Sequence, residues 1–170
     1  TAKSTSWKLR SELKEALESL EGFWPPLTQY DPKLTKEDWK RYIQEVELSH
    51  HPASMQMLKA LMEQGGQASC KQLSELYGGT PSRYVGCSVN LGKRAKKYFD
   101  LPPCMDDRRE CYLPIPFLGK RVREGDFKYY IYRIRPELFA ALKELDLSEV
   151  SLFAAEQEET MATTTDIGLN

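Results

Sequence analysis

No stretch of this chain approaches the roughly 20 consecutive apolar residues that a membrane-spanning helix requires. A secretory leader with basic, apolar and small-residue regions is also missing. Histidine is scarce: His50 and His51 are the only two, adjacent and followed by Pro52, a placement that suits a loop better than a metal site. The four cysteines, Cys70, Cys87, Cys104 and Cys111, are spaced 17, 17 and 7 apart and form no CxxC pair. A structural zinc site is therefore not expected, and the cysteines read as free, mostly buried thiols of a protein in a reducing cytoplasm. The motifs of enzyme chemistry are lacking too: no phosphate-cradling GxxxxGK[ST], no HExxH and no GxSxG. Gly65-Gly66 and Gly78-Gly79 do not have the strand-before, helix-after setting of a nucleotide loop. Asp106 and Asp107 stand beside Arg108 and Arg109, which suits local ion pairing rather than the carboxylate cluster with which a nuclease holds Mg²⁺. A non-catalytic chain with no cofactor or metal of its own is the expectation, and no internal repeat is visible.

What the chain has is an uneven distribution of charge. Its 24 basic and 25 acidic residues leave a net charge of −1. Between Gly65 and Arg135, however, fourteen Lys and Arg face seven Asp and Glu, so the rest carries ten against eighteen. A near-neutral whole thus conceals a basic module of about +7 in an acidic frame, the asymmetry of a nucleic-acid-binding surface. With 170 residues, 41% apolar and 29% charged, the chain suits one domain, or a small domain with an appended helical part, and not wholesale disorder. A start at Thr1 and an abrupt close in TDIGLN are what a piece of a longer protein would show.

The pattern of apolar residues divides the chain into three parts. Residues 1–50 read as a helical extension. One helix over 7–21 places Leu9, Leu13, Ala16, Leu17 and Leu20 on a face, and Trp24-Pro25-Pro26 ends that region. A second is capped by Thr35, has Glu37 and Asp38 at its positive end, buries Trp39, Tyr42, Ile43 and Val46, and runs to about Leu48. Residues 51–146 read as a winged helix-turn-helix, so the fold class is α+β and mainly helical. Met55, Leu58, Leu61 and Met62 face one helix inward, and Gly65-Gly66 stops it. Ser69 caps a short second helix with Leu73, Leu76 and Tyr77 inward, and Gly78-Gly79 stops that one. Thr80-Pro81 starts a third, longer basic helix reaching about Phe99, with Gly86 and Gly92 as weak points in its continuity. Two strands follow, Cys111–Leu118 and Tyr129–Ile134, around a long basic tip; Pro114 and Pro116 make the first an edge or irregular strand. A last helix begins at Pro136 and buries Leu138, Phe139, Leu142 and Leu145. Residues 147–170 read as a linker.

Candidate contacts lie on the third helix and the hairpin tip. Ser82, Arg83 and Asn90 are hydrogen-bonding types suited to base edges, with Tyr84 and Ser88 nearby; Lys93, Arg94, Lys96 and Lys97 suit phosphates. Helical spacing predicts Val85, Leu91, Ala95 and Phe99 in the core and Arg83, Asn90, Arg94 and Lys97 opposite. Ser88 then lies in the core stripe unless Gly86 breaks the helix. Arg94 or Lys97 could instead pair with Asp100. The tip adds Lys120, Arg121, Arg123 and Lys128. Tyr130 and Tyr132 alternate onto the core face, while Tyr129 lies on the other; aromatic residues here could alternatively line a pocket for a flipped base.

YDPKLTKEDW, GGQASCKQLSELYGGTPSRYVGCSVNLGKRAKKY, a strand containing PFLGK, and YRIRPELFAAL together resemble a segment N-terminal to the motor of some McrB-like AAA+ proteins of modification-dependent restriction systems. The likeness covers about residues 30–145, and DIGLN is similar to the residues just before that family's Walker A strand. The resemblance implies a target-recognition module for double-stranded DNA, often with modified cytosine, although related systems touch RNA. It further implies a GTP- or ATP-driven motor with Mg²⁺ further along the parent protein, and a McrC-like nuclease partner. A protein-interaction or assembly module of the same motor is the alternative, in which Trp7, Trp24 and the acidic residues Glu12, Glu15, Glu18 and Glu21 would matter more.

Overall fold

A computed structural model describes residues 30–106 and 109–152, with the main chain alone at 106, 120–122, 124 and 127–129. The helix expected over 7–21, the break at Trp24, Asp107, Arg108 and the chain from 153 onward lie outside the described residues. Thr35 opens the first described helix with a reciprocal cap: its hydroxyl accepts from the Asp38 N–H at 3.2 Å, and the Asp38 carboxylate accepts from the Thr35 N–H at 3.0 Å. This helix, α1, runs Lys36–Tyr42, widens into a π-helical turn at Ile43–Glu47 and closes with Leu48–His50, two residues past the expected end. Trp39, Tyr42 and Ile43 are fully buried as their spacing predicts. The wide turn also draws Glu47 into the core with no exposure at all.

After the break at His51, α2 (Pro52–Glu63) buries Met55, Leu58 and Leu61 and ends at Gly65 and Gly66, both at positive φ. The next three residues, Gln67–Ser69, form a strand, β1, that local pattern does not reveal. Ser69 caps α3 (Cys70–Tyr77), accepting from the Gln72 N–H at 3.1 Å. Thr80 caps α4 (Pro81–Phe99), which passes unbroken through Gly86 and Gly92 and ends on Asp100 at φ +50.

The hairpin departs from expectation. Residues 113–116 form turns, so Pro114 and Pro116, which cannot donate to a ladder, stay out of the sheet. A small two-stranded sheet comes first, from β2 (Cys104–Asp106) and β3 (Arg109–Cys111). The main hairpin is β4 (Phe117–Glu124) and β5 (Phe127–Ile134), joined by Gly125-Asp126 alone. The expected long basic tip is therefore mostly strand. Gly125, at φ +60, sits at the first loop position, where two-residue hairpin turns favour glycine. The strand order is β1-β5-β4, all antiparallel, with Ser69 opposite Ile131 and Gly119 opposite Tyr132.

Pro136 opens α5 (Pro136–Lys143), which buries Leu138 and Leu142 and lies along α1. Trp39, Tyr42, Leu58, Leu61, Leu91, Phe117 and Leu138 belong to one core. At its edge, Phe99 closes an aromatic group with Trp39 and Tyr42, at centroid distances of 5.9 and 5.5 Å; each such pair contributes about 0.5–1.5 kcal/mol beyond its buried area. The buried Arg135 guanidinium donates to the carbonyl oxygens of Pro114 and Tyr30, each within 2.8 Å, fastening two loops over the end of the sheet. The fold is mixed α+β, mainly helical, with small antiparallel sheets. Among the described residues no helix is long and apolar enough to cross a membrane.

Candidate nucleic-acid interface

The buried residues of α4 are Tyr84, Ser88, Leu91, Gly92 and Ala95, a 3.6-residue stripe shifted from the predicted one. The shift corrects several placements. Tyr84 is 3% exposed and its hydroxyl donates to the Gly78 carbonyl at 2.7 Å, closing the turn between α3 and α4. Ser88 is fully buried and donates to the Val85 carbonyl at 2.7 Å. Val85, predicted in the core, is instead 40% exposed.

Arg94 is the largest correction. Instead of facing outward it reaches the buried Glu47 carboxylate through two hydrogen bonds, at 2.8 and 2.9 Å, and donates to the Ser54 hydroxyl at 2.7 Å. The Tyr42 hydroxyl donates to the same carboxylate at 2.5 Å. A carboxylate out of water requires such partners, so this group seats α4 on α1 and α2 and is spent on the fold. Sequence reasoning missed Glu47 altogether. Its only signal is an acidic residue one position after the apolar Val46, and the π-helical turn that buries it leaves no mark in the pattern.

Two more cations are engaged. Arg83 is half-buried and donates to Gln56 on α2 at 3.3 Å. Lys96 pairs with Glu110 on β3, and that hydrogen bond raises its pKa. Ser82, Gly86, Asn90, Lys93 and Lys97 are exposed together with Val85, and their spacing places them on the face opposite the core. The Lys93 ammonium stands 5.3 Å from the Tyr112 ring centroid, which steers its side chain without neutralising it. Lys97, in the last turn, also complements the negative helix end.

The hairpin brings further charge. Lys120, Arg121 and Arg123 lie on β4 and Lys128 on β5. Arg123 is exposed, and the register sets it directly opposite Lys128. Of the tyrosines, Tyr132 is buried against Phe117 at a centroid distance of 5.5 Å, and Tyr130 packs on Tyr132 at 4.9 Å. Tyr132 is thus core, and burial raises its pKa.

Thirteen side chains proposed from sequence thus separate. Tyr84, Ser88 and Arg94 hold the fold, and Arg83 and Lys96 are tied to neighbours. Ser82, Asn90, Lys93 and Lys97 share one exposed helix face, and the four hairpin cations lie on β4 and β5. Among the described residues no three His, Cys, Asp or Glu side chains gather as a metal site would need. Compared with protein-family models, curated proteins and solved structures, the chain matches none.

Proposed function

We propose that residues 52–143 are a winged helix-turn-helix that binds double-stranded DNA through the exposed face of α4 and the β4–β5 hairpin. The observation that carries this reading is the free face of α4, Ser82, Asn90, Lys93 and Lys97. It lies in an order of elements, α2-β1-α3-α4-β2-β3-β4-β5, in which the strand after the first of these helices pairs with the last strand of the main hairpin. An α-helix fits the B-form major groove, hydrogen-bonding side chains read base edges, and lysines neutralise phosphates. The hairpin plays the wing and reaches the neighbouring backbone. The resemblance to McrB-like proteins supplies the setting: a target-recognition module in a cytoplasmic restriction system, non-catalytic itself, with its motor and a McrC-like nuclease supplied by the parent assembly.

Fluorescence anisotropy on unmodified, methylated and hydroxymethylated duplexes, and on RNA, tests the reading across a salt series. Duplex affinity should fall with salt at a log–log slope of about −0.9 per neutralised phosphate. Reversing Lys93 and Lys97 to Glu should weaken binding to every duplex and flatten that slope by about two contacts. Tight binding to A-form RNA alone would contradict groove entry by α4, because the A-form major groove is too deep and narrow for side chains to read. Failure to bind any nucleic acid at low salt would favour the assembly role.

A further inference from the structure

Gly86 and Gly92 lie six residues apart in α4 and differ in what a side chain would meet. A Cβ at Gly92 would run into the main chain of Tyr112, whose carbonyl carbon is 2.8 Å away, so close packing accounts for that glycine. A Cβ at Gly86 would meet nothing within 4 Å among the described residues, and its backbone is ordinary right-handed helix. Neither conformation nor packing among the described residues calls for glycine there, and glycine weakens a helix relative to alanine. The adjoining Val85 is 40% exposed, also without a role in the core. Charge divides the same face along its length. Ser82, Val85, Gly86 and Asn90 form an uncharged first half, whereas Lys93 and Lys97 make the second half cationic.

We propose that the first half of α4 is the part that enters the major groove, with Gly86 at the point of closest approach to the base pairs and Lys93 and Lys97 on the phosphates at the rim. The proposal rests on the duplex binding put forward above. A helix with its side chains is about 10–12 Å across and the B-form groove about 12 Å wide. A position without a side chain lets the helix axis sit deeper, which brings Ser82 and Asn90 within reach of base edges. Uncharged residues toward the bases and cations toward the backbone match how charge is distributed on a duplex.

The test is Gly86→Ala in the full chain, read by thermal melting and by anisotropy on a mixed-sequence duplex. Removing the helix glycine should raise the Tm by about 2–4 °C. The added methyl should weaken duplex binding about tenfold or more. The salt slope should not change, because no phosphate contact is lost. Gly92→Ala is the contrast: its Cβ meets Tyr112, so the Tm should fall. A raised Tm with unchanged or tighter duplex binding in Gly86→Ala overturns the proposal and leaves the duplex-binding reading standing. Weaker binding with a lowered Tm overturns it as well, since the loss would then come from folding. A wild-type chain that binds no duplex at low salt removes both.

Discussion

Arg94→Ala strips the buried Glu47 carboxylate of its counter-charge and of two hydrogen bonds, and takes the donor away from the Ser54 hydroxyl. Breaking a buried ion pair from one side costs about 3–5 kcal/mol, because the remaining charge is left uncompensated. Two features place this case near the lower figure. The Tyr42 hydroxyl still donates to Glu47, and the Arg94 side chain is 25% exposed, so water can enter where the guanidinium was. The expected loss is about 3 kcal/mol. With an m-value of about 2 kcal/mol/M, the urea midpoint should drop by roughly 1.5 M at unchanged slope. Combining Arg94→Met with Glu47→Leu removes both charges and should recover most of that loss, a coupling that a double-mutant cycle reads directly. Duplex affinity, measured on the folded fraction of Arg94→Ala, should stay within about twofold of wild type, since Arg94 does not face the ligand. A stability loss below about 1 kcal/mol together with a large loss of duplex affinity would refute the reasoning and return Arg94 to the contact face.

Thr35→Ala should destabilise the chain by about 1 kcal/mol in urea unfolding through loss of the cap. The hydrogen bond from the Thr35 N–H is the main reason that the Asp38 carboxyl is held below the usual range. A depressed folded pKa contributes stability above the unfolded value of about 3.9, lost as pH falls through the folded one. Asp38→Asn should therefore flatten the acid limb of the stability curve between pH 5 and 2; an unchanged limb would discount the cap. Burial pushes the Cys70 thiol up to about 11, so iodoacetamide at pH 8 should modify the half-exposed Cys111 well before Cys70, with peptide mass mapping as the readout. The Cys104 and Cys111 sulfurs are 3.3 Å apart on opposed strands. Diamide should close a disulfide between them, two hydrogens passing to the azo reagent, and Cys111→Ser should prevent the 2 Da loss; disulfide-linked dimers forming first would contradict that geometry.

Local signals carried most of the helical part. Thr35, Ser69 and Thr80 cap where their hydroxyls predict, and Gly65-Gly66 and Gly78-Gly79 end helices at positive φ, because caps and glycine turns depend on neighbours in sequence. β1 was invisible for the opposite reason. Its three residues become a strand only by pairing with β5, more than sixty residues away, and Gln67-Ala68-Ser69 carries no strand propensity of its own. Lys120, Arg121 and Arg123 carry no apolar alternation that would predict a strand, yet pairing with β5 holds them in a ladder. On α4 the large apolar residues predict a stripe that is out of phase with the buried one. Two core positions are the small residues Ser88 and Gly92, the latter packed against the main chain of Tyr112, and an apolar Val85 is left outside. The candidate site was legible as a basic helix and hairpin. Which cations stay free was not, since that depends on Glu47 and Glu110, brought in from other elements.

The lashing of α5 has a mechanical side. The Lys59 ammonium donates to the carbonyl oxygens of Leu147 and Val150, each at 2.8 Å, and the Glu144 carboxylate bridges Lys36 and Lys40 on α1. Tension applied to the chain beyond residue 152 therefore arrives first at α2 and at the α1–α5 contact, and only after those part does it reach the central strand β5. Because α1 grips α4 through Glu47, the pull is shared with the helix that carries Lys93 and Lys97 before the sheet feels it. A pull on this end would draw α1, α2 and α4 along as one body, and α5 is the seam that opens first under excess force.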